Sequence, residues 1–348
     1  MVFCQGNEVS GLKKICVIPG DGIGPEVIPA AVQVMEKVLP DLSIIEAEAG
    51  WGCFQKHGIS VPQETLDKIR DCGAALFGAV SSPSTKVAGY RSAILTMRQE
   101  LGLYANLRPV RSLPGVSSRS DVDMIIVREN TEGMYAGIET LNEGRATATR
   151  VITREASLRI AGEALRLAQL LGRKKLSIVH KANVLPMTDG LFRDSVLEVV
   201  RSYQKEGLDI QVEQVLVDLA AFRMLSAPQT YDVIVTTNLF GDILSDAAAY
   251  WGGGMGLAPS LNVGDGLALA EPVHGSAPDI AGKGIANPIA AILSAALLVR
   301  FTWQLPETAA RIERAVERFL EKIKIDDPSE LKSLESTQNY LEGILAEL

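Results

Sequence analysis

Short apolar runs that stop at turn residues alternate along this chain with longer segments of helical spacing. "KKICVIPG" (13–20) reads as a buried strand closed by Pro-Gly, and Pro25 suits the first turn of the helix "PEVIPAAVQVMEKVL" (25–39). "AALFGAV" (74–80) and "VDMIIVREN" (122–130) read as further strands. "REASLRIAGEALRLAQLL" (154–171) has apolar residues at helical spacing and ends at Gly172. "KLSIVHKAN" (175–183) and "YDVIVTTNLFGD" (231–242) run from strand into polar residues. Strands alternating with helices predict an α/β class with a largely parallel sheet. Such sheets bind ligands at the carboxyl ends of their strands. Arg128, Glu129, Asn130, Lys181, Asn183 and Asp242 stand there.

With 348 residues the chain has core enough for two domains, although no linker or composition shift marks a boundary. A 47% hydrophobic composition predicts a globular, soluble protein, and a net charge of −8 argues against a nucleic-acid partner. Cys4, Cys16, Cys53 and Cys72 show no C-x-x-C spacing, so reduced core thiols are expected rather than zinc or disulfides. No signal peptide is visible in "MVFCQGNEVSGLKK", and "PIAAILSAALLV" (288–299) is too short to span a bilayer, so a cytoplasmic location and no membrane partner are expected.

"VIPGDGIGPEV" (17–27) invites a dinucleotide-binding reading. The fingerprint G-x-G-x-x-G starts well at Gly22 and Gly24, but Val27 stands where the third glycine belongs, so it fails. Chemistry is suggested elsewhere. Asp242 and Asp246, four apart, share one face of a helix, with Cβ atoms about 5–6 Å apart. They suit a hard divalent cation, or else a solvated acidic helix start. Arg98, Arg108 and Arg128 each lie beside an element end, where they would grip a polycarboxylate bidentately or form surface ion pairs. Lys181 follows a strand, and Tyr135 is a proton donor or a core residue. The glycine-rich "EPVHGSAPDIAGKGIANP" (271–288) is either a solvated connection or a functional loop whose N–H groups at Gly275, Ser276 and Ala277 face a phosphate.

Six of these stretches in order carry a resemblance: "PGDGIGPE", "LYANLRP", "VRENTEGMYAG", "VHKANV", "TTNLFGDILSD" and the 271–288 loop. From about residue 13 to 300 the chain resembles the isocitrate/isopropylmalate dehydrogenase family, metal-dependent β-decarboxylating enzymes that bind a nicotinamide cofactor without the Rossmann fingerprint. The resemblance implies two α/β domains, the second inserted in the first: 1–104 with 259–348 on the cofactor side, and 105–258 carrying the dimer interface and the metal aspartates. It implies a homodimer or higher homo-oligomer with shared active sites. Arg98, Arg108, Arg128 and Asn183 would hold the malate part of a small-molecule substrate. Asp242 and Asp246 would bind Mg²⁺ or Mn²⁺, with Asp218, also counted among the catalytic residues, completing the metal site from the other subunit, and Lys181 would come from the other subunit too. Lys181 would assist deprotonation of the 2-hydroxyl, and Tyr135 would reprotonate carbon. His274, Gly275, Ser276, Ala277, Asp279, Ile280 and Asn287 would bind the cofactor. Asp279 followed by Ile280, with no cation for a 2′-phosphate, implies NAD rather than NADP.

The substrate's C3 substituent would be read by "VAGYRSAILTMR" (87–98). Arg91 and Ser92 are polar there, Ile94 and Leu95 apolar. With its "SSPSTKVAGY" lead-in the stretch resembles homoisocitrate enzymes, so oxidation of homoisocitrate to 2-oxoadipate ranks first. 3-Isopropylmalate ranks second and isocitrate third, with another substituted malate such as a phosphonate near Arg91 after them. A non-catalytic regulatory subunit is the non-enzyme alternative. Two departures stand out: "KIKIDDPSELKSLESTQNYLEGIL" (322–345) lacks the family's TPDLGG-like stretch, and Trp251 is bulky for its place.

Overall fold

The computed structural model describes residues 12–85, 87–323 and 336–348. Cys4, Lys86 of the homoisocitrate-like lead-in, and positions 324–335 of the C-terminal departure lie outside the described residues. The strands are β1 (Lys13–Gly20), β2 (Leu42–Glu46), β3 (Ala74–Ala79), β4 (Ala105–Arg111), β5 (Asp123–Glu129), β6 (Gly133–Asn142), β7 (Arg145–Val151), β8 (Lys175–His180), β9 (Gln211–Leu216), β10 (Val233–Thr236), β11 (Pro259–Gly264) and β12 (Leu267–Pro272). The α-helices are α1 (Gly24–Val38), α2 (Trp51–His57), α3 (Gln63–Cys72), α4 (Ala93–Glu100), α5 (Arg154–Leu170), α6 (Thr188–Lys205), α7 (Val217–Ser226), α8 (Asn238–Ala249), α9 (Ile289–Phe301), α10 (Pro306–Lys322) and α11 (Thr337–Leu345).

Two compact units result: Met1–Leu103, Ser112–Ser120 and Ala249–Leu348 form the first, Tyr104–Arg111 and Asp121–Ala248 the second. The expected breaks at 104/105 and 258/259 shift for a packing reason. Residues 112–120 lie against 249–258: the Arg119 guanidinium sits 5.8 Å from the Trp251 ring, and a Cβ on Gly253 would meet Val116 at 3.0 Å. The bulk of Trp251 is thereby accounted for, since it is buried between Arg119 and an edge-on Tyr250.

In the first unit the strand order is β2-β1-β3-β12-β11, parallel except for β11 against β12. Helix α9, made from the long apolar stretch, is buried at nearly every position because it packs on several sides at once. Among the described residues no helix is long and apolar enough to cross a membrane. The second unit runs β4-β5-β10-β8-β9, with β4 antiparallel to β5 and the rest parallel. Strands covered on both faces read as unbroken apolar runs, as in "VIVT" of β10, buried throughout. β6 and β7 form a separate antiparallel hairpin whose outer half is exposed.

The glycines of the opening turn serve close packing. Gly22 has φ +58°, and a Cβ there would lie 2.0 Å from the carbonyl oxygen of Ser276. That carbonyl accepts the Ile23 N–H at 2.9 Å. Glu26 accepts the Gly282 N–H at 2.6 Å. Asp21 accepts the backbone N–H groups of Trp51 (2.7 Å), Gly52 (2.8 Å) and Ser81 (2.8 Å), so it caps α2 and ties down the segment after β3. The turn between β1 and α1 is thus the peg on which the 273–288 loop hangs.

Two predictions concern stability. Gly22→Ala must displace Ser276 and adopt a strained φ; it should cost about 1–3 kcal/mol and lower the thermal midpoint. The second involves His180 and His274, whose pKa values burial holds below the ordinary imidazole value. In the unfolded chain they titrate near about 6.5. Stability is therefore intact above that pH and lost as pH falls from there toward the folded values, where only the unfolded chain takes up the protons. His180→Asn keeps an acceptor for the Ala182 N–H, which His180 Nδ1 accepts at 3.1 Å. Thermal midpoints between pH 7.5 and about 5 should fall less steeply in this variant than in wild type.

Candidate active site

Helix α8 begins at Asn238, directly beyond β10, so its first turns lie at the carboxyl end of that strand. Asp242 and Asp246 follow one turn apart, outside the first turn, so dipole-favoured helix-start acids do not describe them. Arg128, near the end of β5, is 1% exposed. Its Nε and Nη2 donate to Asn238 Oδ1 at 3.0 and 2.7 Å, and its Nη1 donates to Asp242. A Cβ on Gly241 would lie 2.6 Å from Arg128 Cγ, which is why the helix carries glycine where the arginine stem passes.

Arg108, on β4, is 8% exposed. It donates to Asn106 Oδ1 (2.7 Å), Ser245 Oγ (2.6 Å) and Asp246 Oδ1 (2.7 Å), and its Nη2 lies 3.5 Å from Asp242 Oδ1. Tyr135, on β6, donates its hydroxyl to Asp242 Oδ2 at 2.5 Å, with its ring 5.2 Å from the Arg128 guanidinium. Burial, then the neighbouring Asp242 carboxylate, pushes the Tyr135 hydroxyl above the ordinary phenol value. It therefore stays protonated near neutrality, as a proton donor must. Burial likewise raises Asp246, against the pull of Arg108. The cluster is two carboxylates against two guanidiniums, near neutral overall, with all donors aimed at one patch.

Lys181, directly after β8, pairs with Asp218 in the first turn of α7 at 2.5 Å. That ammonium holds the Asp218 carboxyl below its ordinary value. Asn183 stands exposed beside them. Among the described residues of a single chain, Asp218 forms no three-carboxylate group with Asp242 and Asp246. Arg98, on α4 of the first unit, is 6% exposed and donates to Asn262 (3.1 Å) and Glu271 (2.9 Å).

Around the start of α4, Arg91 is exposed and donates to Gln99 at 2.8 Å. Ser92 occupies the N-cap position without a side-chain capping bond and is half-buried. Ile94 packs against the first unit's core beside Ala93 and Met97, while Leu95 is half-exposed. In the 273–288 loop, His274 Nδ1 contacts the Gly275 carbonyl at 3.0 Å, and its buried Nε2 has no partner. Gly275 and Asp279 are exposed, Ile280 is half-buried, and Ala277 holds φ +40°. Ser276 is buried and its carbonyl is taken by Ile23. Asn287 Oδ1 accepts the Ile289 N–H at 2.9 Å, which leaves its amide nitrogen for a ligand.

The residues suit the expected groups. Asp242 and Asp246 side chains are 30% and 49% exposed, oxygen donors within reach of a hard divalent cation. The orphaned His274 nitrogen is a buried polar group that a bound ligand could satisfy. Sequence reading missed the supports: Asn238, Asn106 and Ser245 around the arginines, Asn262 and Glu271 around Arg98, and Asp21 at the opening turn. Asn238 and Ser245 lie within the quoted "TTNLFGDILSD" motif, Asn106 within "LYANLRP", Asp21 within "PGDGIGPE" and Glu271 at the head of the 271–288 loop, but nothing local told their supporting role; Asn262 lies in none of these stretches.

Comparison with known proteins shows the family. The sequence profile described as "Isocitrate/isopropylmalate dehydrogenase" matches residues 14–344. An "Isocitrate/homoisocitrate dehydrogenase" of Thermus thermophilus is 53% identical over 309 residues, 89% of this chain and 91% of that protein. A "3-isopropylmalate/3-methylmalate dehydrogenase" of Methanocaldococcus jannaschii is 48% identical over 315 residues, 89% of this chain and 91% of its own. The crystal structure of an isocitrate dehydrogenase from Methylococcus capsulatus superposes with a TM-score of 0.87 at 44% identity, covering 96% of this chain and 98% of that one. Members of the family are β-decarboxylating dehydrogenases that use a nicotinamide cofactor and Mg²⁺ or Mn²⁺. This chain belongs to the isocitrate/isopropylmalate dehydrogenase family.

Proposed function

We propose that the protein oxidatively decarboxylates homoisocitrate to 2-oxoadipate with NAD. The observation that carries the reaction class is the Asp242–Asp246 pair ringed by Arg108, Arg128 and Tyr135. Bound there, the cation would supply Lewis acidity toward the 2-hydroxyl and the later enolate, and NAD would accept the electron pair from C2. The arginines neutralise the substrate carboxylates and fix their planes. Lys181, as the neutral amine, receives the hydroxyl proton, and the Asp218 carboxylate holds the ammonium that results. Tyr135 delivers a proton to C3 after CO₂ leaves. Asp279, exposed in the loop, accepts hydrogen bonds from ribose hydroxyls and repels a 2′-phosphate, which favours NAD.

A homodimer with shared sites fits this reading. Lys181 and Asp218 lie among exposed apolar side chains: Val184 (63%), Met187 (84%), Phe222 (66%) and Leu225 (64%). A second copy covering them would bring this pair to the Asp242 group of its neighbour. The regulatory-subunit reading is disfavoured, because every arginine, both α8 aspartates, Lys181 and Tyr135 stand in hydrogen-bonded positions. For the substrate, Leu95 offers apolar contact for methylenes, and exposed Arg91 offers charge for a distal carboxylate. 3-Isopropylmalate is the second reading, favoured by the half-buried Ile94 and Leu95.

Lys181→Met should keep the fold and metal binding but lower kcat by about 10²–10⁴-fold. Asp246→Asn should instead raise the Mn²⁺ concentration needed for half-maximal rate. Near-normal turnover of Lys181→Met would remove its assigned role. A panel of 3-substituted malates tests the substrate: kcat/KM should be highest for homoisocitrate with NAD and much lower with NADP. Arg91→Ala should reduce it roughly tenfold for homoisocitrate and little for isopropylmalate, since a hydrogen bond to charge is worth about 1.5–3 kcal/mol. Equal or better turnover of isopropylmalate by wild type would hand the assignment to the second reading.

A further inference from the structure

Outside the groups already described, one cluster joins three different metal-ligating side chains. Cys53 and His57 lie at i and i+4 on α2, and Glu48 stands in the segment that links β2 to α2. One ligand atom of each lies within 4.8 Å of the other two; among the described residues no other group of three or more His, Cys, Asp or Glu does this. We propose that Glu48, Cys53 and His57 form a binding site for a borderline-soft divalent cation of the Zn²⁺ class.

The distances fit that chemistry. Zinc bonds to oxygen and nitrogen run about 2.0–2.1 Å in a tetrahedron, which sets an O···N edge of roughly 3.3 Å. Glu48 Oε2 and His57 Nε2 lie 3.4 Å apart with no ion between them. Lys56 donates to both Glu48 oxygens, Oε1 at 3.1 Å and Oε2 at 3.3 Å, so a bound cation would take Oε2 from it and leave the Oε1 bond to orient the carboxylate. A thiol, an imidazole and a carboxylate together select a borderline-soft ion and disfavour Mg²⁺, whose preference is for oxygen alone. Three protein ligands leave a fourth position for water.

The scaffold is rigid and the approach is open. Asp21 caps α2, and Trp51, Phe54 and Tyr90 pack their rings at 5.1–5.5 Å along it. Glu48 and His57 stand at the rim of a 1140 Å³ groove of the first unit. Cys53 is 7% exposed, so its sulfur faces the other two ligands from the protein side. Binding would displace the thiol proton into solvent and leave a thiolate on the metal, with no redox change. The ion would tie the segment after β2 to the last turn of α2. The absence of C-x-x-C spacing hid this site, because its ligands are drawn from one helix and the residues before it.

Co²⁺ titration of the whole protein tests the proposal, because a thiolate ligand produces an intense near-ultraviolet charge-transfer band that oxygen ligands do not. The band should saturate near one equivalent and be lost on adding Zn²⁺. Cys53→Ser should abolish it, while Cys72→Ser and Asp246→Asn leave it intact. His57→Ala and Glu48→Gln, both exposed and safe for folding, should each weaken Co²⁺ affinity roughly tenfold or more. No band, or a band that survives Cys53→Ser, overturns the site. Wild-type affinity in both His57→Ala and Glu48→Gln does the same, and would mark the cluster as a surface ion pair beside a core thiol.

Discussion

A guanidinium sealed from water is the constraint around which the second unit is arranged. Removing an ion from water costs several kcal/mol even after relaxation, a large part of the roughly 5–15 kcal/mol that holds a domain folded. Arg128, 1% exposed, therefore has to be met by its neighbours. Asn238, Gly241 and Asp242 meet it from the first turns of one helix: an acceptor for two N–H groups, a space for the stem, and a counter-charge. Because β5 and β10 are paired in parallel, with Thr236 opposite Arg128, the helix that follows β10 starts where the arginine ends. Tyr135 and Arg108 then complete the same carboxylate's surroundings. The groups that keep this cation tolerable are also those to which the proposed function assigns the substrate carboxylates.

The first unit repeats the logic with different residues. Arg98 is buried against Glu271, and Asn262 bridges the two by accepting from the arginine at 3.1 Å and donating to the carboxylate at 2.7 Å. Glu271 sits at the end of β12, immediately before the 273–288 loop, so the strand that braces an arginine also launches the loop that carries His274. Charge pairing thus sets where irregular backbone begins in this unit, and the opening turn sets where it is held.

Much of this was legible in the sequence. Parallel strands such as β1, β3, β8 and β10 announce themselves as apolar runs stopped by turn residues, and α1 by Pro25 and its periodicity. The i, i+4 spacing of Asp242 and Asp246 is a property of any helix. What stayed hidden has a common cause: it depends on partners far away in the chain. Asp21 binds N–H groups 30, 31 and 60 residues on, and no local pattern marks such a carboxylate. The β6–β7 hairpin has no buried face to impose alternation over Glu139–Asn142. The return of Ser112–Ser120 to the first unit follows from Trp251 and Gly253, which offer a surface only after folding.

The contact between Gly22 and Ser276 has a consequence for how such proteins can be rebuilt. Two segments more than 250 residues apart touch so closely that Gly22 has no room for a single added carbon. Glu26 and Gly282 add a second tie between the same segments. Exchanging the 273–288 loop for that of a relative, as one would to transplant a coenzyme preference, therefore moves only half of a matched pair. On the proposed cofactor role of the loop, such a graft needs the residue 19–26 turn to travel with it, and the two stretches are best treated as one inheritable part.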